Sequence, residues 1–367
     1  MRKKGIWVVL FSMLLNVSTV TGLAVTELVD SSSSAKESTV ISNEISETTT
    51  TTSITDILES IGTDESATQS TTEEPQIWVG ENTSEPQSDI QQVDELNENE
   101  ITRIKILYER AISEGKVNRN MYSFNSFQTN YVFGKETYNQ TKYIVGQGLD
   151  YDSWFGQILN YSAFPDGEGH PVTGKNQTLR GTQQQNADKF KKDIRKGDII
   201  IVQSGGFGHA AIATSDNYIL EMSGGGNFGN WFLYGIPDNN HQFNKDNWLW
   251  GRKEQGATPA KMINSYLQVW RIPNKSMANQ CATYADKMFW NSSGGYKKNR
   301  YIEYKLTSRT LSTNPNYCSK MIFQAYWNGS GSAPVMKDFA SGLTFISPSA
   351  LPNLFTDKYA PYKVGTY

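Results

Sequence analysis

Downstream of Lys196 the hydrophobic and polar positions fall into short segments with clear periods. Asp198-Ile199-Ile200-Ile201-Val202 is β-branched and almost wholly apolar, as expected of a strand covered on both faces. Gly205 to Gly208 interrupts the chain. His209 to Thr214 then reads as a second strand, Ser215-Asp216-Asn217 as a turn and Tyr218 to Met222 as a third strand. A glycine-rich segment, Gly224 to Gly229, leads to Trp231, and a further strand, Leu267 to Ile272, stops at Pro273. Two helices follow. Met277 to Phe289 carries Cys281 and the repeated alanines Ala278, Ala282 and Ala285. The second opens at Cys318, because Met321, Ile322, Ala325 and Tyr326 follow it at the three-and-four spacing of one helix face. Strands before helices in this half predict an α+β fold, an antiparallel sheet packed on helices.

The upstream pattern is weaker. Ile101 to Ile112 reads as a helix with Ile104, Leu107, Tyr108 and Ala111 on its inner side. From Asn118 to Lys192 the chain is rich in Tyr, Asn, Gln and Gly, with turn signals such as Pro165-Asp166-Gly167 and no sustained period. Its aromatic residues, Tyr122, Tyr131, Tyr151, Trp154 and Phe155 among them, suit a covering layer on the core better than a substrate groove. Residues 1–24 combine a basic start (Arg2, Lys3, Lys4), an apolar run and small residues at Gly22 and Ala24, the pattern of a secretory signal peptide. Residues 25–100 are dominated by Ser, Thr, Glu and Asp and read as a disordered acidic linker. Residues 101–190 then form a lead-in or covering subdomain, and 191–367 the catalytic domain.

Charge divides the chain unequally. Residues 25–100 hold 18 acidic side chains and one basic one, a formal −17, whereas 101–367 hold 30 basic against 19 acidic, a formal +11. A basic globular part suits anionic surroundings, such as wall polymers or lipid headgroups. Its basic residues are dispersed and carry no recognition motif, which argues against nucleic acid. No segment after the leader is apolar enough to span a membrane. The expected location is extracellular or cell-wall associated.

The candidate chemistry centres on Cys318. A thiol in the first turn of a helix meets unpaired backbone N–H groups and the positive end of the helix dipole, both of which favour thiolate. A cysteine nucleophile also needs a base and a group to orient that base, for which His209 and Glu221 are the candidates. If the hairpin loop is Ser215 to Asn217, with Asn217 free to take positive φ, Ala211 pairs with Glu221 and Glu221 lies diagonally from His209 on one face. A two-residue Asp216-Asn217 loop would put the two on opposite faces. Cys281 leaves open a disulfide with Cys318, which would remove the nucleophile. His170 and His241 read as loop histidines, and three histidines and two cysteines without ligand spacing give no zinc pattern.

Gly197-Asp198-Ile199-Ile200, Gly208-His209-Ala210-Ala211-Ile212, Tyr218-Ile219-Leu220-Glu221 and, far later, Tyr317-Cys318-Ser319-Lys320 together resemble the circularly permuted branch of the NlpC-like papain-fold cysteine hydrolases, the YiiX and YaeF type. The resemblance covers about residues 190–355. It implies a permuted papain-like fold with Cys318 as nucleophile, His209 as general base, Glu221 as orienting residue, and no metal or cofactor. The expected function is a secreted thiol hydrolase that cleaves an amide bond, foremost in cell-wall peptide. The alternatives are a lipid or ester acyl hydrolase or acyltransferase of the same fold, and a catalytically idle wall-binding protein.

Overall fold

The computed structural model describes residues 96–170, 181–203, 206–225 and 230–367. The leader and nearly all of the acidic linker lie outside them. The linker's last residues do not: helix α1 runs Glu98–Ser113, and the Asn97 side chain and Glu100 form a reciprocal capping box that starts it inside the stretch assigned to the linker. Its inner side is Ile104, Leu107, Tyr108 and Ala111, as the spacing predicts.

Three helices that the aperiodic stretch concealed follow: α2 (Phe124–Thr141), α3 (Tyr151–Gln157) and α4 (Gln183–Asp193). Each begins on a polar cap, Ser123, Asp150 or Thr182, whose side chain accepts a first-turn N–H. Helices therefore precede the first strand as well as follow the last inner one. Tyr122, Tyr131, Trp154 and Phe155 are buried in the main core, so this region covers the molecule's interior. Pro165-Asp166-Gly167 is a turn, with Gly167 at φ +81 and Ala163 bridged to Gly169.

The sheet holds six antiparallel strands in the order β4-β3-β2-β1-β5-β6: β1 (Ile199–Gln203), β2 (His209–Ala213), β3 (Tyr218–Met222), β4 (Asn240–Asn244), β5 (Tyr266–Arg271) and β6 (Tyr362–Thr366). The two edge strands were not foreseen. Asn240-His241-Gln242-Phe243-Asn244 is too polar to announce a strand, and His241 is thus a strand residue opposite Glu221 rather than a loop histidine. His170 does lie outside regular elements but is buried against the Phe164 ring.

Alternation along the strands builds two cores. Ile199, Ile201, Ile212 and Leu220 face α1–α3, α6 (Lys275–Phe289) and α7 (Cys318–Gly329). Ile200, Val202, Ile219 and Val269 face α4 and α5 (Lys245–Trp250). The fold is α+β with helices on both faces of an antiparallel sheet. α7 departs from the one-sided pattern expected of it: every residue from Cys318 to Tyr326 is buried, so it runs through the interior.

Candidate active site

The β2–β3 hairpin takes the register that joins the two candidate partners. Ala211 pairs with Glu221, Ile212 with Leu220 and Ala213 with Ile219, and the Thr214 N–H donates to the Tyr218 carbonyl at 3.0 Å. The loop closes in a different way from that expected. Asn217 is not among the residues with positive φ; instead the Ser215 hydroxyl accepts the Asn217 and Tyr218 N–H groups at 3.2 and 3.0 Å. The result is the same diagonal. His209 Nε2 donates to Glu221 Oε2 at 2.9 Å.

Glu221 is wholly buried and needs its partners. Trp248 Nε1, brought by α5, donates to Oε2 at 2.7 Å, and the Ser223 hydroxyl donates to Oε1 at 3.0 Å. Burial alone would raise its pKa; the hydrogen bonds and the positive charge of His209 outweigh that and hold it below the ordinary carboxylate value. Glu221 is therefore an anion in the interior.

Cys318 completes the group from the first residue of α7. With Nε2 engaged by Glu221, Nδ1 is the ring nitrogen left to face the Cys318 thiol, with which His209 interacts. Burial opposes charge on both groups. For Cys318 the neighbouring imidazolium, the Ala210 N–H and the Ser319 hydroxyl overcome it and lower the pKa. For His209 the thiolate and Glu221 overcome it and raise the pKa to about 10. The favoured form is a thiolate–imidazolium pair backed by a carboxylate, an arrangement chemically able to act as a nucleophile with its proton on the neighbouring base.

The start of α7 is fixed from several sides. Ser319 Oγ donates to the Ile346 carbonyl at 2.6 Å, and the Ile346 N–H returns to the Tyr317 hydroxyl at 3.0 Å. Asn316 Nδ2 donates to Gln324 Oε1 at 2.8 Å, while Gln324 Nε2 holds the Thr310 and Ser312 carbonyls at 2.7 Å each. Lys320, buried beneath the helix start, donates to the Pro315 carbonyl at 2.8 Å, and burial lowers its pKa to about 8. These bonds hold the sulfur against β2 rather than leaving it on a mobile turn.

One group at the sulfur has no sequence signal. Tyr304 lies in an aperiodic stretch, bridged to Ile236 and Asn316, and is close enough to Cys318 for the two to interact electrostatically. Burial first, then the negative charge of Cys318, keeps this phenol protonated, so an O–H donor stands beside the sulfur. Trp248 and Ser223 were missed too, since only the folded register brings them to Glu221. Cys281, in contrast, is a free thiol buried in α6, and burial pushes its pKa up to about 12. Cys318 is likewise free, so the disulfide left open by the sequence does not form.

No helix among the described residues is long and apolar enough to cross a membrane. No solved structure matches the chain. An uncharacterized 30.3 kDa protein from Bacillus thuringiensis is 32% identical over 280 residues, which cover 73% of this chain and 90% of that protein. A family model described as lipoprotein N-acylation protein LnsA-like matches residues 171–367, a span that contains His209, Glu221, Tyr304 and Cys318. The chain belongs to the LnsA-like lipoprotein N-acylation family.

Proposed function

We propose that this chain is a cysteine acyl-enzyme, exported by its leader, which takes an acyl group from an ester or amide onto Cys318 and releases it to an amine or to water. The observation that carries this reading is the thiol–imidazole–carboxylate line Cys318–His209–Glu221 in a chain of a family described by N-acylation. The Cys318 thiolate attacks the acyl carbonyl carbon and forms a C–S bond. Tyr304 and the first N–H groups of α7 are the donors at hand for the oxyanion. As the tetrahedral intermediate collapses, the C–O or C–N bond breaks and the leaving group takes the His209 proton. In the second half His209 removes a proton from the incoming amine or water, and the C–S bond breaks to return the thiolate. Glu221 orients the imidazole and stabilises its charged form throughout.

The family description moves the emphasis from cell-wall peptide, for which no comparison speaks, to acyl chemistry, the alternative of the same fold. The test is a thioester trap. The full chain incubated with an acyl donor should gain one acyl mass, sensitive to hydroxylamine, and lose it in Cys318→Ala but not in Cys281→Ala. Acylation that survives Cys318→Ala would refute the assignment. Parallel incubation with an amine acceptor and with water separates transferase from hydrolase.

A further inference from the structure

We infer that the face around the entrance to Cys318 docks on an anionic lipid bilayer, so that the acyl donor is drawn from the membrane. This rests on the acyl-enzyme reading and names the surface that would supply its substrate. Three large apolar side chains project into solvent from three separate segments: Phe133 is 60% exposed, Leu311 52% and Phe339 61%. All three segments converge on the loops that hold the nucleophile and its base. A side-chain carbon on Gly206, three residues before His209, would meet the Thr137 side chain at 3.2 Å, which places that loop against α2. Phe133 lies one turn from Thr137 on the same helix face. Phe207, the next residue in the loop, packs its ring 5.9 Å from Trp154 and 5.0 Å from Phe345. Phe345 precedes Ile346, which clamps the start of α7. Leu343, two residues earlier, accepts the Thr310 hydroxyl; Leu311 adjoins Thr310, and Phe339 stands on the short turn that leads into Leu343.

Charge identifies the occupant. Lys142, Arg309 and Lys337 accompany these apolar residues, against Glu136 and Asp338, Lys135 being paired with Glu100 at 3.8 Å, and residues 101–367 carry a formal +11. Exposed apolar anchors set among basic side chains suit the interfacial zone of a bilayer, where the rings enter the acyl boundary and the cations meet anionic headgroups. Cys318 is only 4% exposed, so an acyl chain reaches it only if the side chains that cover it move apart.

Flotation of the full chain with vesicles of phosphatidylglycerol and phosphatidylcholine, or of phosphatidylcholine alone, tests the proposal. Binding should need the anionic lipid, weaken with salt, and fall at least tenfold in Phe133→Ser/Leu311→Ser/Phe339→Ser. Turnover of a soluble short-chain acyl ester should stay unchanged in that variant. Each single substitution is floated beside it, retained ester turnover reporting the fold, so that a misfolded triple variant does not decide the matter. Lys142→Glu with Arg309→Glu should lower binding to the anionic vesicles only. The proposal is overturned if the native chain floats with neither vesicle, if binding ignores anionic lipid, or if folded serine variants float like the native chain. Cys318→Ala should float normally, and a native chain that floats but forms no thioester would sink the acyl-enzyme reading alone.

Discussion

At Glu221 one carboxylate satisfies three donors and supports one charge. Glu221→Gln removes the charge and leaves one acceptor oxygen, so that if Trp248 and His209 keep the one they share, the Ser223 hydroxyl faces an amide NH2 instead of Oε1. We expect turnover to drop at least tenfold and stability by about 1–3 kcal/mol, the usual cost of a buried donor left unpaired. Unchanged turnover would take Glu221 out of the mechanism. The pH profile carries a second signature. His209 is raised to about 10 in part by Glu221, so the imidazolium survives through neutral pH and loses its proton only on the alkaline side. Cys318 is lowered, so the thiolate persists towards acid. Native activity should therefore show a broad neutral plateau with an alkaline limb near pH 10. In Glu221→Gln that limb should move to lower pH, because the anion that favours protonated His209 is gone. Thiolate ultraviolet absorbance, compared with Cys318→Ser, follows the acid-side Cys318 titration without substrate, and an alkaline activity limb that stays in place in the variant would contradict the coupling.

At the scale of elements, α7 is positioned by its neighbours more than by its own amphipathicity. A side-chain carbon on Gly197, which has φ +86, would come within 2.7 Å of the Ala278 carbonyl oxygen on α6, and the Gly197 carbonyl accepts the Tyr326 hydroxyl of α7. Gly197→Ala therefore meets both an unfavourable backbone angle and a clash with backbone. We expect a loss of more than about 1 kcal/mol, read as a lower denaturation midpoint; a midpoint equal to the native one would mean that the two helices can shift apart freely. The same elements explain what could be foreseen. β1, β2, β3, α6 and the start of α7 are apolar runs with a clear period, so His209, Glu221 and Cys318 could be named as candidates, whereas counting loop residues left two hairpin registers open and only the folded pairing chose between them. α2, α3 and α4 were not, because their inner faces are built from Tyr, Trp, Phe and Ala spaced among Asn and Gln, which blurs the contrast that periodicity needs. β4 and β6 are edge strands of polar or mixed residues whose pairing is decided by the neighbour already in place.

Across the whole molecule, polar contacts tie the covering layer to the sheet. The 163–170 turn docks on β5 and β6: Gln268 Nε2 donates to Glu168 Oε2 at 3.0 Å, Tyr266 donates to Glu168, and Lys363 pairs with Asp166. On the opposite side Arg271 grips the buried Asp198 through Nε and a terminal nitrogen, both at 2.7 Å. Lysine cannot reproduce that fork on the enclosed Asp198, so Arg271→Lys should lower stability by about 1–3 kcal/mol, while Lys363→Met, whose partner Asp166 is partly open to solvent, should cost less than about 1 kcal/mol. Denaturant titration of both variants checks the order, and a larger loss for Lys363→Met would reverse it.

The near-complete enclosure of Cys318 also makes the thiol a clock. A depressed pKa would make a free cysteine quick to alkylate, yet here the reagent has to wait for the side chains that cover the thiol to part. Labelling speed should then follow reagent size more steeply than reagent reactivity: iodoacetamide should enter well ahead of a bulky fluorescent maleimide, although a maleimide is the faster partner for an open thiol. Cys281, sealed in α6 and held neutral, should label only when the chain unfolds. The interval between the two labelling events measures breathing at the active site separately from loss of the fold.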